Sequence, residues 1–183
     1  MNKFRILPFA LILAVFSCEE SEAEKNESKL ENLTGESGIS YNESLSKWND
    51  LKRENGNSYI YQTSFNSWTG FGSITNIKIE DGIVTSRSYT EFGLDELDNK
   101  VITDSYEETI DNLGSHQKGA SAVTIDMLYE TCASQYIVVD EKDNSIHFET
   151  EESGLMNTCG FVPNGCIDDC FTGIQISAFD WIK

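Results

Sequence analysis

Ile77-Lys78-Ile79-Glu80-Asp81-Gly82-Ile83-Val84 alternates apolar and charged side chains, breaks at an Asp-Gly pair and resumes as an apolar run. Alternation at a period of two marks a strand with one buried face. Asp-Gly supplies the positive backbone angles of a two-residue hairpin turn. The stretch is read as a hairpin whose return strand runs from Ile83 to Tyr89. Upstream, Tyr59, Tyr61, Thr63 and Phe65 alternate with Ser58, Ile60, Gln62 and Ser64, which gives a further strand in residues that favour sheets. The glycine-rich loop Asn66-Ser67-Trp68-Thr69-Gly70-Phe71-Gly72 ends it. Ahead of that strand Ser40 and Glu43 form a capping box. Tyr41, Leu45, Trp48 and Leu51 then recur at helical spacing until Asn55-Gly56 stops the helix.

Downstream the pattern is looser. Residues 91–119 read as a long, acidic, mobile excursion holding one strand, Val101 to Tyr106. A second helix begins near Thr124, with Ile125, Leu128, Tyr129 and Cys132 on an inward stripe. Strands are expected at Tyr136–Val139 and, after a turn at Asp143-Asn144, at Ile146–Glu149. Two more flank a cysteine-rich corner, near Leu155–Phe161 and Phe171–Trp181. In the last, Ile174, Ile176 and Ala178 point one way, and Gln175, Ser177 and Phe179 the other. Helix, hairpin strands, helix, hairpin strands is the order of an α+β fold. The expectation is an antiparallel β-sheet with two helices packed on one face and a disulfide-stapled C-terminal hairpin, in a single domain over residues 39–183.

The N-terminus carries an address. Lys3 and Arg5 precede the apolar run Ile6 to Phe16, which is too short for a transmembrane helix and has the layout of a signal peptide over residues 1–17. The ending Ala14-Val15-Phe16-Ser17-Cys18 resembles a lipobox, which implies cleavage before Cys18, a diacylglyceryl group on its thiol and an acyl chain, such as palmitate, on its amine. Two or more chains give stable membrane anchoring. Residues 18–38 then read as the lipidated cysteine and a disordered acidic tether, since Glu19-Glu20-Ser21-Glu22-Ala23-Glu24 cannot bury enough apolar surface to offset its ordering entropy. Acidic residues directly after the cysteine resemble the surface-export signal of Bacteroidetes lipoproteins. The expected location is the outer membrane or cell surface, with the periplasmic face as the alternative.

Removing residues 1–17 takes away Lys3 and Arg5 and no acid, so the net charge of -18 becomes about -20. Nucleic acid needs a basic footprint and is excluded as a partner. Cys132, Cys159, Cys166 and Cys170 remain once Cys18 is lipidated, and an even number in an oxidising compartment reads as two disulfides. Of three pairings the preferred one joins Cys132 to Cys170 and Cys159 to Cys166. A zinc site at Cys166 and Cys170 is the alternative reading.

Three segments together, Trp48…Tyr59-Ile60-Tyr61, Ile77 to Val84, and Thr124-Ile125-Asp126-Met127-Leu128-Tyr129, resemble a family of bacterial lipoproteins that carry a domain of unknown function. That family shows a Trp helix, a Tyr-rich strand, a V-x-V-x-x-G-x-V hairpin and a T-x-D-x-L-F helix. The resemblance spans about residues 41–181, and Gly154-Leu155 and Asp168-Asp169 fit its later part. The family's cysteine pair near the first strand is missing here, and the cysteines of the last hairpin are extra. The resemblance implies fold and location, and no activity.

Catalytic motifs are missing. His116 and His147 are the only histidines, and neither a His-Glu-x-x-His helix nor a Gly-x-Ser-x-Gly elbow occurs. Ser115-His116 reads as a polar loop. Among 31 acidic residues a glycosidase-like carboxylate pair has no sequence mark. No cofactor is expected; Ca²⁺ is the alternative, on Asp140, Asp143 and Asn144 or on Asp168 and Asp169, because hard oxygen ligands on loops suit it. Trp68 and Phe71, two aromatics among small residues, are the candidate ligand-binding side chains. The expected function is a non-enzymatic, lipid-anchored binding or interaction domain for a glycan, a peptide or an envelope protein. A small secreted hydrolase using a carboxylate pair is the alternative.

Overall fold

The computed structural model describes residues 28–183. The expected signal peptide, Cys18 and the expected tether as far as residue 27 lie outside the described residues. Helix α1 (Tyr41–Asn55) precedes strands β1 (Tyr59–Asn66), β2 (Gly72–Glu80), β3 (Ile83–Leu94) and β4 (Lys100–Thr109). Helix α2 (Ile125–Thr131) and a π-helical turn (Cys132–Tyr136) then lead to β5 (Asn144–Thr150), β6 (Met156–Pro163) and β7 (Thr172–Trp181). All neighbours pair antiparallel, in the spatial order β4-β3-β2-β1-β7-β6-β5. Two meanders run outward, and the helical connection between them lets the last strand return beside the first.

The opening hairpin forms as its sequence demands. Asp81 and Gly82 both take positive φ, 49° and 81°, the pair of angles a tight two-residue turn needs. Ser40 caps α1, its Oγ accepting the Glu43 N–H at 3.2 Å. Trp48 from α1 is fully buried, stacked on Trp181 at 5.7 Å and edge-on to Tyr59 at 5.2 Å. The helices share a buried polar chain with β6. The Met156 N–H donates to Tyr129 Oη at 2.9 Å, Tyr129 Oη lies 2.7 Å from Ser44 Oγ, and Ser44 donates to the Gly154 carbonyl at 2.6 Å. Ser44 is silent in the apolar periodicity of α1, yet it is as buried as Trp48.

Several expectations are corrected. The excursion over residues 91–119 holds its expected strand, Val101 to Tyr106, inside a longer β4, and about half of it is sheet: β3 runs on to Leu94, and β4 pairs with it from Leu94↔Lys100 to Ser86↔Thr109. Tyr136 ends the π-helical turn, and residues 137–139 form a further turn and bend, so the strand expected at Tyr136–Val139 does not form. Residues 28–38, read as tether, contain a helical turn over 28–32 and place Leu30 and Leu33 against the core. Thr34 bridges to Ser40, and the Glu36 N–H donates to Glu149 at 2.9 Å.

In β7 the alternation reverses midway. Gln62 faces Ala178 but Thr63 faces Ile176, so Ser177 is an extra residue, a β-bulge. Ile174 and Ile176 point to the core before it, and Phe179 and Trp181 pack on the core after it. Ala178 is exposed, in contrast to its expected place beside the isoleucines.

The disulfides exist, with a different pairing. Cys132 bonds Cys159, Cα atoms 5.8 Å apart, and Cys166 bonds Cys170 at 6.4 Å. Cys159 sits mid-strand opposite Phe148 and Ile174, on the core face under the helix, where Cys132 also points. Cys166 and Cys170 lie in the loop outside the ladder, and cannot reach that buried pair. The zinc reading of Cys166 and Cys170 falls with their bond.

Candidate functional site

The site is built where β7 changes partners. Residues Thr172 to Gln175 pair with β6, whereas residues from Ile176 onward pair with β1. Strand β1 continues past Thr63, its last residue paired with β7, through Ser64, Phe65 and Asn66. The sheet therefore forks, and a cleft of about 590 Å³ opens between the prongs. Thr63, Ser64 and Phe65 line one prong and Gly173, Ile174 and Gln175 the other. Leu128, Thr131, Gln135 and Tyr136 close the helical side, with Ser121 and Phe171 at its margins.

Hydroxyls, amides, aromatic rings and aliphatic groups make up this lining; none of its residues carries a charge. That contrasts with a chain of net charge -18. Tyr61, at the base, donates its hydroxyl to the Val123 carbonyl at 2.8 Å, and burial pushes its phenol well above the ordinary tyrosine value. The Ala120 N–H donates to Thr75 Oγ1 at 3.1 Å and pins the loop to β2. Gly119, with φ of 81°, lies so close that a Cβ would stand 2.7 Å from Thr75 Oγ1 and from the Tyr89 ring. Only glycine satisfies both the backbone angle and the approach.

Beside the cleft the core face becomes ionic. The row Tyr61–Ile77–Arg87–Glu108 crosses four strands, and Glu108 is the one buried carboxylate among the described residues. Arg87 grips it with two bonds, at 2.9 and 2.8 Å. The backbone N–H groups of Gly114 and His116 each donate to it at 2.8 Å. The Arg87 guanidinium above all holds this carboxyl far below the usual carboxylate range, against the opposing effect of burial. His116 stacks on Tyr106 at 4.0 Å. Its Nδ1 lies 3.0 Å from Glu108 and 3.2 Å from Ser115 Oγ. A serine–histidine–acid relay needs the acid and the serine on opposite ring nitrogens. Here both meet the same nitrogen, so the trio ties the loop down and is not a nucleophile with its base.

No protein-family model matches the chain, and no curated protein or solved structure matches it. The site has to be read from its own geometry.

Trp68 stands 83% exposed at the tip of the β1–β2 loop, and Phe71 is partly exposed. Phe71 lies 6.3 Å from Phe65, which itself lines the cleft, so the aromatic loop adjoins the cleft mouth without entering it. At both calcium candidates the acidic side chains make local turn contacts. Asp140 accepts the Lys142 N–H at 3.0 Å, and its carbonyl takes the Asn144 amide at 2.9 Å. Asp168 accepts the Asp169 N–H at 3.0 Å. Among the described residues no group of three or more His, Cys, Asp or Glu side chains is placed to hold a metal ion. The forked cleft itself escaped sequence reading. Its one signal was the odd-length apolar pattern in Phe171–Trp181, where Phe179 and Trp181 fall out of phase with Ile174 and Ile176.

Proposed function

We propose that the chain is a lipid-anchored lipoprotein of the outer membrane or cell surface whose domain binds an uncharged ligand and does not transform it. The observation that carries this reading is the charge-free lining of the forked cleft in a strongly acidic protein. General acid–base or nucleophilic chemistry calls for a titratable group beside the ligand, and this lining offers none apart from tyrosine phenols. Uncharged hydroxyl and amide groups beside aromatic faces suit a neutral polar ligand, and the exposed Trp68 and Phe71 extend that surface at the cleft mouth. The lipobox at Cys18 supplies the anchor.

The ligand half of this reading is tested by exposing the intact protein to neutral oligosaccharides and end-blocked uncharged peptides. Saturable binding with no product by mass spectrometry is expected. Turnover of any of them would replace binding by catalysis. The address is tested separately: Cys18→Ala should move the protein from the membrane to the soluble fraction, and wild-type protein should carry acyl chains on its N-terminal peptide. A plain cleaved terminus would remove the anchor from the proposal.

A further inference from the structure

Three consecutive residues of each prong line the cleft: Thr63, Ser64 and Phe65 on β1, and Gly173, Ile174 and Gln175 on β7. Successive side chains of a strand point to opposite faces, so a cavity lying on one face meets only alternate residues. The cleft does cover part of the sheet face, where Ser73 and Thr75 of β2 line it beside Thr63 and Phe65, but a run of three shows that it also reaches the strand's edge, where backbone N–H and C=O groups point. Both edges lack a strand partner along this stretch. Strand β1 pairs with β2 on its other side, and this part of β7 pairs with β6 on its other side. The last contact between the two prongs is Thr63↔Ile176. Open strand edges are ready templates for another strand.

We infer that the fork is a slot for an extended, uncharged peptide segment, which enters as an extra strand and hydrogen-bonds to the β1 and β7 edges at once. This rests on the reading of the cleft as a binding site and names the partner that site takes. A strand seated between two others lies about 4.8 Å from each, so the guest enters where the prongs, paired at Thr63↔Ile176, have parted to about twice that distance. The free edges, residues 64–66 and 172–175, are long enough for three or four residues of guest backbone. The lining sets the guest's chemistry. With no cation or anion in the cleft to neutralise one, a buried Lys, Arg, Asp or Glu on the guest would be desolvated without a partner. Small hydroxyl, amide and aliphatic side chains find matching groups in Thr131, Gln135 and Leu128. Main-chain bonds supply affinity in this mode and side-chain pockets supply selectivity.

The test uses the intact protein and fluorescent, end-blocked heptapeptide pools built from Ser, Thr, Val, Ala and Gln. Anisotropy should show saturable binding, and hydrogen exchange should slow at residues 63–66 and 172–175 together. N-methylation at odd positions of the best peptide, or at even positions, should each weaken binding by roughly tenfold or more through lost hydrogen bonds. Both registers matter only when both guest edges are paired, so weakening in one register alone overturns the slot. Equal binding after methylation overturns it too. Ser121→Trp and, independently, Gln135→Trp fill the cleft from its margin and its helical wall, and either folded variant should abolish binding. Hexaoses of glucose, xylose and N-acetylglucosamine are run in parallel. If these bind in a manner blocked by the plugs and the peptides do not, the strand slot fails while the binding-domain reading stands. If neither class binds, both fail.

Discussion

Glu108 carries a carboxylate into an interior where an isolated charge would be far too costly. It is tolerated because Arg87, 4% exposed, meets it with two bonds, while two backbone N–H groups, the Ser115 hydroxyl and His116 Nδ1 fill the rest of its shell. Removing one member of such a pair leaves the other charge buried and alone. Glu108→Gln should therefore cost about 3–5 kcal/mol in urea unfolding at neutral pH. The pH dependence comes from the depressed folded value. Glu108 is ionised in both states above the ordinary carboxylate range, about pH 4.3, and its contribution is fully present there. As pH falls below that, the unfolded chain takes up the proton first, so the contribution drains away towards the much lower folded value. The stability gap between wild type and Glu108→Gln should narrow steadily from about pH 4 downward; a constant gap to pH 2 would refute this account. Trp68 behaves oppositely. At 83% exposure it contributes little to the core, so Trp68→Ala should shift stability by less than about 0.5 kcal/mol while weakening any ligand that reaches the cleft mouth. A large fall in Tm would show that the ring is a structural anchor.

Among elements, the two disulfides differ in what they constrain. Cys132–Cys159 spans 27 residues and joins the helical connection to the middle of β6, whereas Cys166–Cys170 spans four within one loop. On loop-closure entropy the first contributes about 3.5 kcal/mol and the second about 2 kcal/mol. Replacing each pair by alanines and measuring urea unfolding should rank them in that order; equal or reversed costs would mean that native contacts, not loop closure, dominate. The pairing was hidden from sequence because it depends on which face of β6 each residue takes. A bulge between Glu149 and Thr150 sets that phase, and β6 itself shows no clean alternation. Where one face is dry and the other wet, reading succeeded: the Ile77 to Val84 hairpin and the Trp48 helix stand where their periodicity puts them. In β3 and β4 it found the strands Ile83–Tyr89 and Val101–Tyr106 but not their full length or their pairing, because their core face carries Arg87, Tyr89, Tyr106 and Glu108 in place of aliphatic residues. Polar side chains that bury one another leave no hydrophobic pattern to find. The candidate site was legible only at its rim, in Trp68 and Phe71. The fork needs a non-local fact, the point at which β7 leaves β6 for β1.

At the scale of the whole molecule, the interior depends on tyrosine to a degree that sets a chemical limit. Tyr41, Tyr59, Tyr61 and Tyr129 are all buried, and each hydroxyl has a partner. Tyr41 and Tyr59 come from the start of the fold, Tyr129 from α2, and Tyr61 from the base of the fork, so the four link both helices to the sheet. Burial raises every one of these phenols, Tyr41 and Tyr59 to about 12. The sign is fixed by which state ionises first. Below the unfolded value, about 10, the phenols are neutral in both states and stability is unaffected. Above it the unfolded chain loses protons that the folded protein keeps, so stability falls as pH rises until the folded values are passed. Each such tyrosine steepens the fall by about 1.4 kcal/mol per pH unit. The intact protein should unfold cooperatively above pH 10, with tyrosinate absorbance and loss of far-ultraviolet circular dichroism coinciding. Tyr61→Phe keeps the ring and removes one ionisation. Its stability at neutral pH should drop by about 1 kcal/mol for the lost bond to Val123, but the slope between pH 10 and 12 should be shallower by about 1.4 kcal/mol per unit. The two curves then meet about 0.7 of a pH unit above 10 and cross, the variant being the more stable beyond that point. Parallel curves would mean that Tyr61 ionises freely in the folded state, which a ring sealed at the base of the cleft cannot do.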